Sequence, residues 1–195
     1  MKDKTRIAVL VSGGGTNLQA LIDAEKSGII KSGEIVLVCS SNPDAYALTR
    51  AETNGIETHV IESEQDLLDQ LESHGIELII LAGFMTILSP EVIKRYPERI
   101  INVHPALIPS FCGKGFYGLR VHEKALEYGV KVTGATVHFV NEIPDGGRII
   151  YQKAIDILDD DTPETLQRRV MENCEWILLP KAAEKVSAEI MEAKE

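Results

Sequence analysis

Three polar residues in the second half of the chain have the types that acyl transfer to an amine requires. Asn102 and His104 stand two apart in Ile100-Ile101-Asn102-Val103-His104-Pro105, and Asp145 opens Asp145-Gly146-Gly147. Such a transfer passes through a tetrahedral oxyanion, which needs a donor aimed at that oxygen and a group that relays protons. Asn102 offers an amide donor, and His104 a ring that changes charge near neutral pH. Asp145 offers a carboxylate to hold that ring cationic, or to position a water that carries protons from the attacking amine to the leaving nitrogen. The substrate amine is the nucleophile, so no covalent side-chain nucleophile is needed. The plainer reading makes Asn-x-His a strand-end feature and Asp145 a turn residue. A metal site built on His104, His138 and Asp145 is the rival use. No compact His/Asp/Glu spacing supports it, and no metal is expected.

A second constellation lies near the start. Ser12-Gly13-Gly14-Gly15-Thr16-Asn17 follows the apolar run Arg6 to Val11 and precedes Leu18, Leu21 and Ile22, spaced for one helix face. Glycines let a backbone approach a phosphate closely, and a helix N-terminus supplies aligned donors. The plainer reading is a tight strand-to-helix turn capped by Thr16 or Asn17. The spacing matches neither the dinucleotide fingerprint nor the nucleoside-triphosphate loop.

These groups need a sheet to position them. Strand-like runs at Ile35–Val38, Thr58–Ile61, Leu78–Ala82 and Ile100–His104 alternate with helical patterns. Gly28 stops the first helix. Asn42-Pro43-Asp44 is a turn before a short helix that runs to Gly55. Ser63 caps a helix with Asp66 as its capping-box partner, and Ser89-Pro90 starts another. The pattern predicts an α/β fold: one Rossmann-like, doubly wound, mainly parallel sheet. Thr133–Val140 and Arg148–Ile157 read as an antiparallel edge in the C-terminal half. A last helix starts at Thr162-Pro163, with Pro180 expected to kink or break it. Residues two apart on a strand share a face, so Asn102 and His104 point into one pocket beyond the strand end. No linker or repeat divides the sequence, so residues 1–195 read as one domain.

The formal net charge is -10, which argues against a nucleic-acid partner. A small anion remains possible where a few donors converge. Cys39, Cys112 and Cys174 are odd in number and widely spaced, so neither a disulfide framework nor a zinc-cysteine site is expected. Met1-Lys2-Asp3-Lys4 leads straight into a strand, with no leader and no span long enough for a membrane. A cytoplasmic protein acting on small molecules, as a monomer or homodimer, is the expectation.

Five stretches in order carry a resemblance across nearly the whole chain: Val11–Ala20, Leu81-Ala82-Gly83-Phe84-Met85, Asn102–Pro109, Gly134–Val140 and Asp145-Gly146-Gly147. The chain resembles the phosphoribosylglycinamide formyltransferases (glycinamide ribonucleotide transformylases) of the folate-dependent formyltransferase family. The resemblance implies 10-formyltetrahydrofolate as co-substrate, glycinamide ribonucleotide as formyl acceptor and a place in purine synthesis. It implies Asn102, His104 and Asp145 as the catalytic set, with His138 in support. It places the phosphate and ribose on Ser12, Gly13, Gly14, Gly15, Thr16, Asn17 and Glu175, whose plainer reading is a solvent-facing helix residue. It places the folate on Met85, Thr86, Ile87, Leu88, Asn102, Val140, Asn141, Glu142 and Asp145. The N-terminal half would then bind the phosphorylated substrate, and the C-terminal half the folate and the chemistry. Without the resemblance, Met85 and Leu88 read as core residues.

The chain departs from the family at Thr86, where arginine is common, and at Phe111–Gly118, which is longer and glycine-rich and reads as a mobile flap. Lys114 and Arg120 could add positive charge there. Asn141-Glu142-Ile143-Pro144 is also unusual. Methionyl-tRNA formyltransferase, which carries an added RNA-binding domain and positive charge, fits poorly. A formyltetrahydrofolate deformylase-like hydrolase and a non-catalytic folate or nucleotide binding module are the remaining alternatives.

Overall fold

The computed structural model describes residues 4–194. Met1 to Asp3, on which the reading of the chain's start falls, and Glu195 lie outside them. Seven strands form one mixed sheet in the order β3-β2-β1-β4-β5-β6-β7. By backbone contacts the chain divides into two compact units, one running to Ile101 and resuming at Pro180, the other Asn102–Leu179.

The first unit holds β1 (Thr5–Val11), β2 (Gly33–Ser40), β3 (Glu57–Val60) and β4 (Leu78–Leu81). β1 pairs in parallel with β2 and β4, and β2 with β3. Ile7 to Val11 and Leu78 to Ile80 are fully buried, as continuous apolar runs in parallel sheets are. Helices α1 (Thr16–Lys26), α2 (Tyr46–Thr53), α3 (Glu64–Ser73) and α4 (Pro90–Arg95) connect these strands in turn. Leu18, Leu21 and Ile22 are the buried stripe of α1.

Two capping expectations change. Gly15, in the left-handed region at φ 73°, occupies the cap position of α1 with no side-chain cap, so Thr16 and Asn17 lie inside the helix. Ser63 does cap α3 by accepting the Asp66 N–H. The Asp66 carboxylate, however, accepts from the Glu62 N–H and bonds the His59 ring, so the reciprocal half of the box is not made. Ser89 caps α4 as its sequence predicts.

The second unit carries the end of β5 (Ile100–His104), then α5 (Leu119–Tyr128), β6 (Val132–Phe139), β7 (Ile149–Asp156) and α6 (Pro163–Val170). β6 and β7 pair antiparallel, with the register shifting between Val137 and His138. Such bulges re-aim side chains beside functional sites. α6 begins in a capping box between Thr162 and Thr165. A π-helical turn follows at Met171–Glu175, and α7 (Trp176–Glu192) runs through Pro180. Of the kink or break expected at Pro180, the break is absent. Trp176, four residues before Pro180, has ψ −10°, which tilts its carbonyl from the position where the proline ring would strike it.

Candidate active site

β5 ends in two side chains that meet different partners. His104 is buried, and its Nε2 lies 2.8 Å from the Phe111 carbonyl. A carbonyl only accepts, so Nε2 carries the hydrogen. His104 Nδ1 faces Asp145 Oδ2 at 3.6 Å. Asn102 Nδ2 lies 3.2 Å from His138 Nε2. His138 is also buried, and its Nδ1–H donates to the Phe139 carbonyl at 2.8 Å. The other Asp145 oxygen, Oδ1, lies 3.6 Å from His138 Nε2. Asp145 therefore stands between two histidines, one on each oxygen, and the Gly113 N–H donates to its Oδ2 at 2.8 Å.

Charge follows from these surroundings. Burial pushes His104 below its ordinary value, opposed by the Asp145 carboxylate and the Phe111 carbonyl. With its ordinary value already below 7, that direction leaves the ring neutral at rest near pH 7. For Asp145 burial pulls upward, but the His138 and His104 rings, in their protonated forms, and the Gly113 N–H together bring its carboxyl below the usual range. It is ionised at neutral pH. A neutral ring with one bound proton and one basic nitrogen, beside a fixed carboxylate, is equipped to take up and release a proton.

The turn that brings Asp145 here is closely built. Asp145 itself has φ 56°, a left-handed conformation that Asp tolerates better than most residues. A Cβ on Gly147 would lie 1.7 Å from the Phe139 carbonyl oxygen, so only glycine fits. Val140 is partly buried, and Asn141 and Glu142 are exposed in this turn.

The expectation of a free flap at Phe111–Gly118 is modified at its base. The Phe111 carbonyl and the Gly113 N–H hold His104 and Asp145, and the Phe111 ring meets those of Phe116 and Tyr128. These backbone contacts are the functional groups that residue types in the sequence did not announce. Lys114 and Arg120 are exposed. Glu175 is only 6% exposed within the π-helical turn, which overturns the solvent-facing reading. One further buried group went unread. His122, on α5, is fully buried, and neither ring nitrogen has a hydrogen-bond partner among the described residues. Its place on the apolar stripe with Val121 and Ala125 is a sequence signal that was available.

In the first unit the glycine loop follows β1. The Ser12 hydroxyl accepts the Met85 N–H at 3.0 Å and lies 2.8 Å from the Ser41 hydroxyl, fixing the loop from the side of β4. The Gly13 carbonyl accepts from the Ala47 N–H and the Gly14 carbonyl from Arg50. Beyond β4, Leu88 is buried, whereas Met85 is 55% exposed, as Ile87 and Thr86 also are exposed. The core reading of Met85 is therefore corrected, and that of Leu88 stands.

A Rossmann-like mixed sheet thus brings together an amide and an imidazole of β5, an imidazole of β6 and a carboxylate from the turn after β6. Residues 5–182 match the family described as formyl transferase, and the chain belongs to that family. It is similar to the phosphoribosylglycinamide formyltransferase of Haemophilus influenzae, at 40% identity over 86% of this chain and 80% of that protein. It is 38% identical to the chloroplastic phosphoribosylglycinamide formyltransferase of Arabidopsis thaliana over 86% of this chain, but spans 61% of that protein's length. It spans 17% of the chicken trifunctional purine biosynthetic protein adenosine-3, to which it is 45% identical. The solved glycinamide ribonucleotide transformylase 1 of Symbiobacterium toebii superposes with a TM-score of 0.88 at 38% identity, covering 95% of this chain and 89% of that one.

Proposed function

We propose that the chain transfers the formyl group of 10-formyltetrahydrofolate to the amine of glycinamide ribonucleotide, a step of purine synthesis. The observation that carries this reading is the meeting of Asn102, His104, His138 and Asp145 in one unit, within a chain of the formyl transferase family. The donor set suits the group transferred, a carbonyl that gains negative charge on oxygen while an amine loses a proton. Bound folate supplies that formyl carbonyl.

Asn102 gives one N–H to His138 and keeps the second for an oxyanion. His138, its Nδ1–H fixed on Phe139, presents an Nε2 lone pair that orients the Asn102 amide. His104, its Nε2–H fixed on Phe111, offers Nδ1 as the site of proton uptake. Asp145 stabilises the charge that then develops on the ring. The glycine loop Ser12 to Asn17 holds the ribonucleotide phosphate, and Glu175 the ribose. Met85 to Leu88 and Val140 to Glu142 contact the folate. The N-terminal half thus serves the phosphorylated substrate, and the C-terminal half the folate and the chemistry. The protein acts in the cytoplasm on small molecules, as a monomer or homodimer, without nucleic acid or membrane. Among the described residues no helix is long and apolar enough to cross a membrane.

A spectrophotometric assay with a formyl-folate analogue, with and without glycinamide ribonucleotide, tests the reading. Deformylation that requires the amine supports transfer. Deformylation without it makes the protein a hydrolase, and none in either case makes it a binding module.

A further inference from the structure

We infer that Arg50 sets the direction of the anion donors in the glycine loop and places positive charge behind them, so that it is a positioning residue for the substrate phosphate. The inference rests on the phosphate role proposed for that loop.

Arg50 lies on α2. Its Nε donates to the Gly14 carbonyl at 2.8 Å and its Nη1 to Gln19 Oε1 at 3.3 Å, and its guanidinium carbon sits 5.0 Å above the Tyr46 ring. One turn earlier on the same helix, the Ala47 N–H donates to the Gly13 carbonyl at 3.1 Å. Both glycine carbonyls therefore face α2. A trans peptide is planar, so the C=O of one residue and the N–H of the next point in opposite directions. The N–H groups of Gly14 and Gly15 must then point together away from α2, and no described residue accepts either of them. Two adjacent outward amides form a recess for an anion.

Arg50 acts on this recess in two ways. Glycine tolerates either sign of φ, so the peptide joining Gly14 to Gly15 has little intrinsic reason to keep its orientation. The bond from Arg50 supplies that reason. A cation on the carbonyl also polarises the peptide and strengthens the N–H on its far side. In a chain of net charge -10, a guanidinium bonded to the loop answers how a phosphate is held against the overall field. Gly15 backs directly onto α2, where an added Cβ would lie 2.7 Å from Ala47 Cβ, so helix and loop move as one body.

The test compares wild type, Arg50→Met, Arg50→Lys and Gly14→Val on two acceptors, glycinamide ribonucleotide and its dephosphorylated riboside. Arg50→Met should raise KM for the ribonucleotide roughly tenfold, the worth of one charge-assisted hydrogen bond, with a much smaller change in kcat. It should leave kcat/KM for the riboside unchanged, and Arg50→Lys should recover most of the loss. Equal losses on both acceptors would make Arg50 merely structural and overturn the inference. An unaltered ribonucleotide KM in Arg50→Met, beside a raised one in Gly14→Val, would overturn it while sparing the phosphate reading. If Gly14→Val is silent too, that reading itself fails and the inference with it. Should Arg50→Met not fold, Arg50→Gln, which keeps a neutral donor for Gly14, carries the same comparison.

Discussion

His104 turns Nδ1 rather than Nε2 toward Asp145, at 3.6 Å from Oδ2, while Nε2 is committed to the Phe111 carbonyl. Nε2 therefore keeps its hydrogen in both charge states, and Nδ1 is the atom that titrates. Burial lowers the His104 pKa, and the Asp145 carboxylate offsets part of that. Replacing Asp145 with Asn removes the offset and the charge that stabilises a protonated ring. Asp145→Asn should lower kcat by roughly a hundredfold or more and move the His104 titration further down, as read from its ring resonances by NMR. Near-normal turnover with an unmoved titration would refute the assigned role.

Asn102 makes a separate contribution, through oxygen rather than through the proton. Its amide is aimed by His138, which is itself oriented by the Phe139 carbonyl. Asn102→Ala removes one donor to a developing oxyanion, a loss of about 10²–10³ in kcat in comparable sites. KM for either substrate should move little, because the donor matters chiefly in the transition state. A loss expressed wholly in KM would assign Asn102 to binding instead.

The strands and the shared face of Asn102 and His104 were legible because each rests on residue type and short spacing, and Asp145 was legible by its type beside two glycines. Apolar β-branched runs can only be buried, and Asn102 and His104 two apart on one strand must share a face. Groups that act through the backbone left no such trace. The Phe111 carbonyl and Gly113 N–H that hold His104 and Asp145 belong to a stretch whose glycines suggest mobility. The cap of α1 was misread because Thr16 and Asn17 are good caps by type, whereas Gly15 takes the position by its left-handed φ. Asp66 was misassigned because His59 and the Glu62 N–H compete for its carboxylate, and His59 belongs to a strand before the helix. At Pro180 the sequence suggests a kink or break because the π-helical turn before it, which changes the local geometry, has no sequence signature.

Buried His122 predicts acid sensitivity. Burial, helped by the His104 charge, lowers its pKa from 6.5 to about 4. The folded state thus binds this proton less tightly than the unfolded chain does. Stability from this source is flat above about pH 6.5, falls as the pH drops toward 4, and levels off below. The drop from 6.5 to about 4 corresponds to roughly 3 kcal/mol, and the lowered His104 acts in the same direction. His122→Leu should be neutral or mildly stabilising at pH 7, since it removes two ring nitrogens without partners. It should also flatten the acid slope. Urea midpoints at pH 7 and pH 4.5 measure both, and a variant with the full wild-type slope would exclude His122 as its source.

Gly147 and Gly146 are neighbours with unequal expected tolerance. A Cβ on Gly147 would sit 1.7 Å from the Phe139 carbonyl oxygen and 2.7 Å from its carbon. Backbone must move to admit it, which places the cost toward the upper end of the roughly 1–3 kcal/mol typical of overpacking. The atom displaced is the one that accepts His138 Nδ1–H, and Asp145 lies two residues before the substitution. Gly147→Ala should therefore lower kcat at least tenfold, even at temperatures where the variant is fully folded. A Cβ on Gly146 would instead meet Ile143 Cγ2 at 2.7 Å, its Cβ at 2.8 Å and its carbonyl oxygen at 3.2 Å; rotation of the exposed Ile143 side chain relieves only the first, and the turn must give slightly for the others. Gly146→Ala should therefore cost about 1 kcal/mol, less than Gly147→Ala, and lower turnover less. Thermal melts and kcat for the pair separate the two cases. If Gly147→Ala melts and turns over as Gly146→Ala does, the Phe139 carbonyl is not what holds this turn in register with His104 and His138.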